Sequence, residues 1–153
     1  AIVVDRDPRD NYVFLSTKFL GRNHFAPLDN VEDFIAFYKA LRDGQPYKDP
    51  DPRILRVQFE SLVYDYGSAT KTIRDFLGLG ENPNPKKIFD PAVSMPNTQV
   101  FKRFPRFAED VKKIEDALTE YLFDFDRYPD ADTSGEMFFG KSPKNNKENR
   151  KNG

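Results

Sequence analysis

The chain has no cysteine and no tryptophan in 153 residues, and its single histidine is His24. Without cysteine there is no disulfide, no thiol nucleophile and no thiolate metal site, and one histidine excludes a multi-histidine centre, so no metal is expected. The missing cysteine also fits a reducing compartment, and a cytoplasmic location is the expectation. No apolar run reaches the length of a membrane span, and no stretch reads as a signal peptide. No Gly-rich phosphate loop with a following lysine occurs anywhere in the chain. The composition is instead aromatic, with 15 Phe and 7 Tyr, so ring burial should carry much of the core.

Charge is unevenly distributed. Residues 141–153 carry five bases against one acid, net +4, which leaves −5 for the rest of a chain whose total is −1. That leaves no large basic surface, and no nucleic-acid partner is expected. The length suits one domain, placed at residues 1–130, with residues 131–153 a flexible tail in which Phe138 and Phe139 could still dock. The chain opens without methionine inside an apparent core strand, which reads as part of something longer.

The run Ile2-Val3-Val4 reads as a buried strand, and Asp7-Pro8 supplies an N-cap and a first helical residue, so strand should feed directly into a helix ending near Leu20, with Gly21 as its stop. Arg6 stands at this junction. Helix starts present unpaired N–H groups, and a neighbouring guanidinium suits the place to a phosphate. An ordinary turn, with Arg6 paired to Asp5, Asp7 or Asp10, fits the same residues. His24 falls in a polar loop and reads as a surface or packing residue. A second helix runs from an Asn30 cap to Gly44, with Val31, Phe34, Ile35, Tyr38 and Leu41 on its apolar face.

After a proline-rich connector over residues 45–52, Arg53 to Phe59 reads as a second strand. Ser68 is the expected cap of the next helix, with Ala69, Ile73, Phe76 and Leu77 buried and Gly78 ending it. Strands separated by helices predict an α/β layer with a parallel sheet. Residues 80–105 read as a long loop, followed by one amphipathic helix from Phe107 to Phe125.

Three stretches carry a resemblance to the sulfotransferases that use 3′-phosphoadenosine 5′-phosphosulfate (PAPS). They are Arg6-Asp7-Pro8-Arg9-Asp10 after a β-branched strand, the pair Phe59-Glu60-Ser61-Leu62 and Phe76-Leu77-Gly78-Leu79, and the basic loop ending Phe101-Lys102-Arg103-Phe104-Pro105. The resemblance covers Ile2 to about Asp126 and matches the C-terminal part of a P-loop-like sulfotransferase fold. It implies that Arg6, Lys102 and Arg103 bind the 3′-phosphate and that Phe59 lies against the adenine, where closing the core is the other reading of the same ring.

The implied function is transfer of a sulfuryl group from PAPS to a hydroxyl acceptor, with a carbohydrate favoured by the wording of the first and last motifs. Two departures matter. Phe14 stands where the family has a phosphate-binding serine, and Ser16, about 200° around the helix, is a poor substitute. The phosphate loop and the catalytic base are missing, so no catalytic residue is assigned. A non-catalytic, sulfotransferase-like fragment or binding module is the alternative.

Overall fold

The computed structural model describes residues 1–18, 30–44, 51–81 and 89–137. Strand β1 (Ile2–Asp5) passes through Arg6 and Asp7 into helix α1 (Pro8–Lys18). Asp7 is the expected cap: its Oδ1 accepts the Arg9 N–H at 2.8 Å, while Pro8 occupies the position whose missing N–H costs nothing. Helix α2 (Val31–Asp43) is capped by Asn30, whose side chain accepts from the Asp33 N–H at 2.8 Å. Its acidic first turn and Arg42 in the last turn match the helix dipole.

Strand β2 (Leu55–Gln58) pairs in parallel with β1, in the register Ile2 to Leu55 through Asp5 to Gln58. It is shorter than the sequence predicts. Phe59 already belongs to helix α3 (Phe59–Tyr64), which starts without a break. Helix α4 (Tyr66–Leu77) begins after Asp65, so Ser68 lies in its first turn instead of capping it. Gly78 closes α4 in the left-handed conformation at φ 65°, and the Leu79 N–H reaches back to the Arg74 carbonyl.

The described residues thus form a mixed α/β arrangement, mostly helical around a two-stranded parallel sheet. Strand β1 is not the buried core strand expected from its composition. Val4 is 53 % exposed, because among the described residues β1 has one neighbouring strand and nothing covers that face.

Much of the stretch over residues 80–105 is wound, where a loop was expected. Helix α5 (Pro91–Ser94) is capped by Asp90, and single 3₁₀ turns follow at Met95–Asn97, Val100–Arg103 and Pro105–Phe107. The long final helix is also cut short. Helix α6 (Ala108–Ala117) stops before Leu118, and 3₁₀ turns at Thr119–Tyr121 and Phe125–Arg127 complete the run. The far end of the run is held out of a helix by the start of α1 and the residue before it. Asp7 Oδ2 accepts the Phe123 N–H at 2.8 Å and Arg9 donates to the Phe123 carbonyl at 3.0 Å, bonds that a continuing helix would forfeit.

The main core is where α1, α2 and α6 meet, with Tyr12, Val13, Val31, Phe34, Ile114 and Leu118 at its centre. Aromatic contacts run through it as composition predicts: Tyr12 lies 5.2 Å from Phe34, and Tyr38 lies 5.5 Å from Tyr121. Leu41, expected on the buried face of α2, is exposed, as is Leu77 at the end of α4. A second aromatic group joins Tyr64, Phe123, Phe125 and Tyr128, with Tyr64 and Tyr128 stacked at 4.7 Å. His24, Leu20, Gly21, most of the proline-rich connector, Phe138, Phe139 and residues 141–153 lie outside the described residues. Arg103 donates to the Gly135 carbonyl at 3.0 Å, which ties residues just beyond 130 to the 3₁₀ turn at Val100–Arg103.

Candidate anion-binding site

The β1–α1 junction places basic and acidic side chains in alternation, and their fates differ. Arg9 is fully engaged. It donates to Asp7 through Nε and Nη2, to Glu115 through Nη1 at 2.9 Å and to the Phe123 carbonyl, and its guanidinium lies 4.4 Å from the centre of the Phe101 ring. Asp5, on the opposite side of the strand end, accepts from both Arg42 and Arg56 at 2.5 Å.

Arg6 is different. Its Nη2 donates to the Asn97 carbonyl at 2.6 Å, its Nε is buried without a hydrogen-bond partner, and among the described residues it forms no ion pair. The ordinary-turn arrangement, with Arg6 paired to a neighbouring aspartate, is therefore not what forms. Its guanidinium sits between two rings, 5.1 Å from the centre of Phe14 and 5.6 Å from that of Phe59. Phe14 thus fills the position next to Arg6, and Phe59, at the start of α3, contributes a π face to the same place.

The basic stretch 94–105 lies over this junction. Asn97 receives Arg6, and the Phe101 N–H donates to Asp10 Oδ1 at 3.2 Å. Arg103 donates to the Pro96 carbonyl at 3.0 Å, next in sequence to the carbonyl that Arg6 uses. The two guanidiniums therefore converge on one turn. Lys102 does not join them: its Nζ donates to Gln99 Oε1 at 2.7 Å and its side chain is exposed. Lys102 instead borders a cavity of about 410 Å³ with Arg9, Phe101, Glu115 and Phe123.

The turn itself is held under strain. Gln99 adopts φ 53°, a left-handed conformation that an ordinary residue takes at a cost of about 1–2 kcal/mol. Tyr64 holds it there. Its hydroxyl accepts from Gln99 Nε2 at 3.1 Å and shares a short hydrogen bond with Thr98 Oγ1, while Thr98 Oγ1 also bonds the Met95 carbonyl. Strain of this kind gathers where a backbone must present particular groups.

Three acids at the junction are completely buried: Asp7, Asp10 and Glu60, each 0 % exposed. Asp7 is satisfied by Arg9 and the Phe123 N–H. Glu60 Oε1 accepts the Asp7 N–H at 3.0 Å, which pins α3 to the strand–helix junction. The second oxygens, Asp10 Oδ2 and Glu60 Oε2, are buried without partners. Burial pushes the Asp10 carboxyl up to about 7; the Asp7 charge adds to this, and Arg6 and the Phe101 N–H oppose it. Glu60 is likewise raised to about 7, chiefly by burial and in part by Asp7, against the Asp7 N–H and Arg6.

Sequence reading singled out Arg6, Phe59, Lys102 and Arg103. Arg6 and Phe59 come together, and Arg103 reaches the turn that Arg6 touches, while Lys102 stands apart. It missed Asp10, Glu60 and Asn97. A signal for Asp10 was present, since Asp7 and Asp10 sit three apart and share a helix face with the strand end. Comparison with known protein families, curated proteins and solved structures returned no match. Among the described residues no helix is long and apolar enough to cross a membrane.

Proposed function

We propose that this chain supplies the 3′-phosphoadenosine-binding part of a sulfotransferase that moves a sulfuryl group from PAPS to a hydroxyl acceptor, a carbohydrate or polysaccharide. The observation that carries the reading is the state of Arg6. A guanidinium at the carboxyl end of a parallel strand, beside the start of an eleven-residue helix, keeps a buried Nε unpartnered and forms no ion pair among the described residues, while Arg9, Arg42 and Arg56 around it are each matched to an acid. Buried donors of charged groups are rarely left so, and a phosphate oxygen is the partner that this position favours.

Phe59 and Phe14 provide flat apolar faces on either side for an adenine or ribose, and Arg103 holds the turn that covers the site. In this reading Arg6 is the phosphate ligand, Phe59 the base contact and Arg103 a residue that positions the covering turn, while Lys102, turned to Gln99 beside another cavity, makes no contact at Arg6. The acceptor hydroxyl, its base and the 5′-phosphosulfate cradle belong to no residue assigned in this chain. A cytoplasmic setting is part of the same proposal.

One observation favours a second reading. Phe14 occupies the space beside Arg6 with a ring where the resembling family has a phosphate-binding hydroxyl. A binding module without catalysis would show the same cradle.

Isothermal titration with 3′-phosphoadenosine 5′-phosphate and with 5′-AMP tests the nucleotide reading. A charge-assisted phosphate contact is worth about 1.5–3 kcal/mol, so the 3′-phosphate should improve affinity by roughly ten- to hundredfold. Arg6→Ala should erase that preference. Equal affinities in the unaltered protein would overturn the assignment. Sulfuryl transfer to a polysaccharide, assayed with PAPS, separates the enzyme from the module.

A further inference from the structure

The two unpartnered carboxylate oxygens beside Arg6 have no part in gripping a phosphate, and they are poorly placed for it. A buried acid is expensive unless each oxygen finds a donor or a cation, or the group takes a proton. Asp10 and Glu60 each spend one oxygen on a backbone N–H, from Phe101 and Asp7 respectively, and leave the other unpartnered. Arg6 is the cation that favours ionisation in both. Arg9, the next cation along α1, is committed to Asp7, Glu115 and the Phe123 carbonyl. The groups facing the pair are therefore Arg6 and the Asp7 carboxylate, from the link between β1 and α1, the N–H groups of Asp7, Glu60 and Phe101, and, for Asp10, the Glu60 carboxylate, whose charge raises it further.

We infer that anion binding at Arg6 is coupled to proton uptake by Asp10 and Glu60, because the incoming negative charge and the two buried carboxylates compete for one guanidinium. The inference rests on the nucleotide reading above and adds its regulation. Before binding, Arg6 offsets part of the cost of ionising the pair. A phosphate dianion on Arg6 cancels that attraction and adds repulsion, so the neutral acids are favoured in the complex. Each acid then takes a proton from solvent onto a carboxylate oxygen, with no bond to the ligand made or broken.

The sign follows from linkage. Burial pushes both acids up to about 7 and an anion on Arg6 pushes them further, so uptake occurs around neutral pH and affinity declines as pH rises. For a one-unit rise in one acid, uptake at pH 7 is about 0.4 proton, and affinity drops about fivefold between pH 6 and pH 8. The ligand contributes in the opposite sense, since a phosphate monoester loses its second proton near pH 6. That contribution is common to wild type and variants and cancels in their difference.

The experiment is titration of the 153-residue chain with 3′-phosphoadenosine 5′-phosphate at pH 7, in two buffers of different ionisation enthalpy, which reads protons exchanged on binding. Wild type is expected to take protons up. Glu60→Gln keeps an oxygen for the Asp7 N–H, Asp10→Asn keeps one for the Phe101 N–H, and each should lower the uptake by about 0.4 proton. Release of protons or none exchanged by wild type, or the same uptake in wild type and both variants, overturns the coupling and leaves the nucleotide reading intact. The wild-type measurement decides the sign even if a variant fails to fold, because each ligand phosphate, already about nine-tenths dianionic at pH 7, can release at most about 0.1 proton. Equal affinity for 5′-AMP is the separate result that removes the nucleotide reading and the coupling with it.

Discussion

Arg6 and Arg9 sit three residues apart in one motif, and they show how differently the same side chain can be used. Arg9 is saturated: two acids, one carbonyl and two aromatic rings surround it, and its side chain is only 11 % exposed. It welds α1 to α6 and to the chain that follows. Arg6 has one backbone carbonyl, two rings and an unpartnered Nε. A helix start that needed only stability would treat both as it treats Arg9. That difference is the ground for proposing Arg6 as the ligand-binding member of the pair.

Substitutions should separate the two roles, and the largest effect belongs to Arg9. Arg9→Ala strips the counter-charge from fully buried Asp7 and should cost about 3–5 kcal/mol in urea unfolding. A loss below about 1 kcal/mol would show that Asp7 finds other partners. Arg6→Ala, by contrast, breaks no ion pair: it removes one hydrogen bond to a carbonyl and two ring contacts and should cost about 1–2 kcal/mol, while abolishing discrimination between the two nucleotides. If Arg6→Ala proved as destabilising as Arg9→Ala, the contrast would collapse and Arg6 would be structural. Smaller still is the effect expected of Asn30→Ala, about 0.5–1 kcal/mol from a lost, exposed helix cap, with no change in nucleotide preference.

The acids beside Arg6 sharpen the contrast through pH. Asp10 and Glu60 have folded values near 7, well above their ordinary 3.8 and 4.5. The unfolded chain therefore releases these protons first, and their contribution to stability declines as pH rises from about 4 to about 7, then levels off. Glu60→Gln removes one such group, so relative to wild type it should gain stability from pH 4 to pH 8, read as the difference between two urea-unfolding series. A difference that stays flat over that range would mean that Glu60 is ionised in the folded protein as in the unfolded chain, and one still climbing at pH 8 that it stays neutral throughout.

Much of the β1–α1 junction was legible because its signals are local. Asp7-Pro8 sets the helix start through a side-chain cap and the fixed proline φ, Asn30 caps α2 with its own side chain, and Gly78 ends α4 through its left-handed backbone. The parallel pairing of two β-branched stretches also followed from pattern. What local pattern could not show were contacts across long separations. The apolar spacing from Phe107 to Phe125 is a sound helical pattern, yet Asp7 and Arg9, more than a hundred residues earlier, claim the backbone of Phe123 and end the helix early. The prolines at 91, 96 and 105 signal a loop, but they also suit the first turns of short helices, where they are found.

The candidate site divides along the same line. Arg6 and Phe59 could be named from their motifs, since each lies at a strand-to-helix transition. Lys102 and Arg103, adjacent in sequence, diverge because a 3₁₀ turn points neighbouring side chains apart: Arg103 reaches Pro96 and Gly135, and Lys102 reaches Gln99. The buried oxygens of Asp10 and Glu60 were illegible, since burial of an acid is a property of the packed whole.

The central claim is that Arg6 is reserved for a phosphate. Its most direct test is the ratio of affinities for 3′-phosphoadenosine 5′-phosphate and 5′-AMP, measured by calorimetry in wild type and in Arg6→Ala. The account predicts a ratio of about ten to a hundred that falls to about one in the variant. A ratio unchanged by the substitution would contradict it.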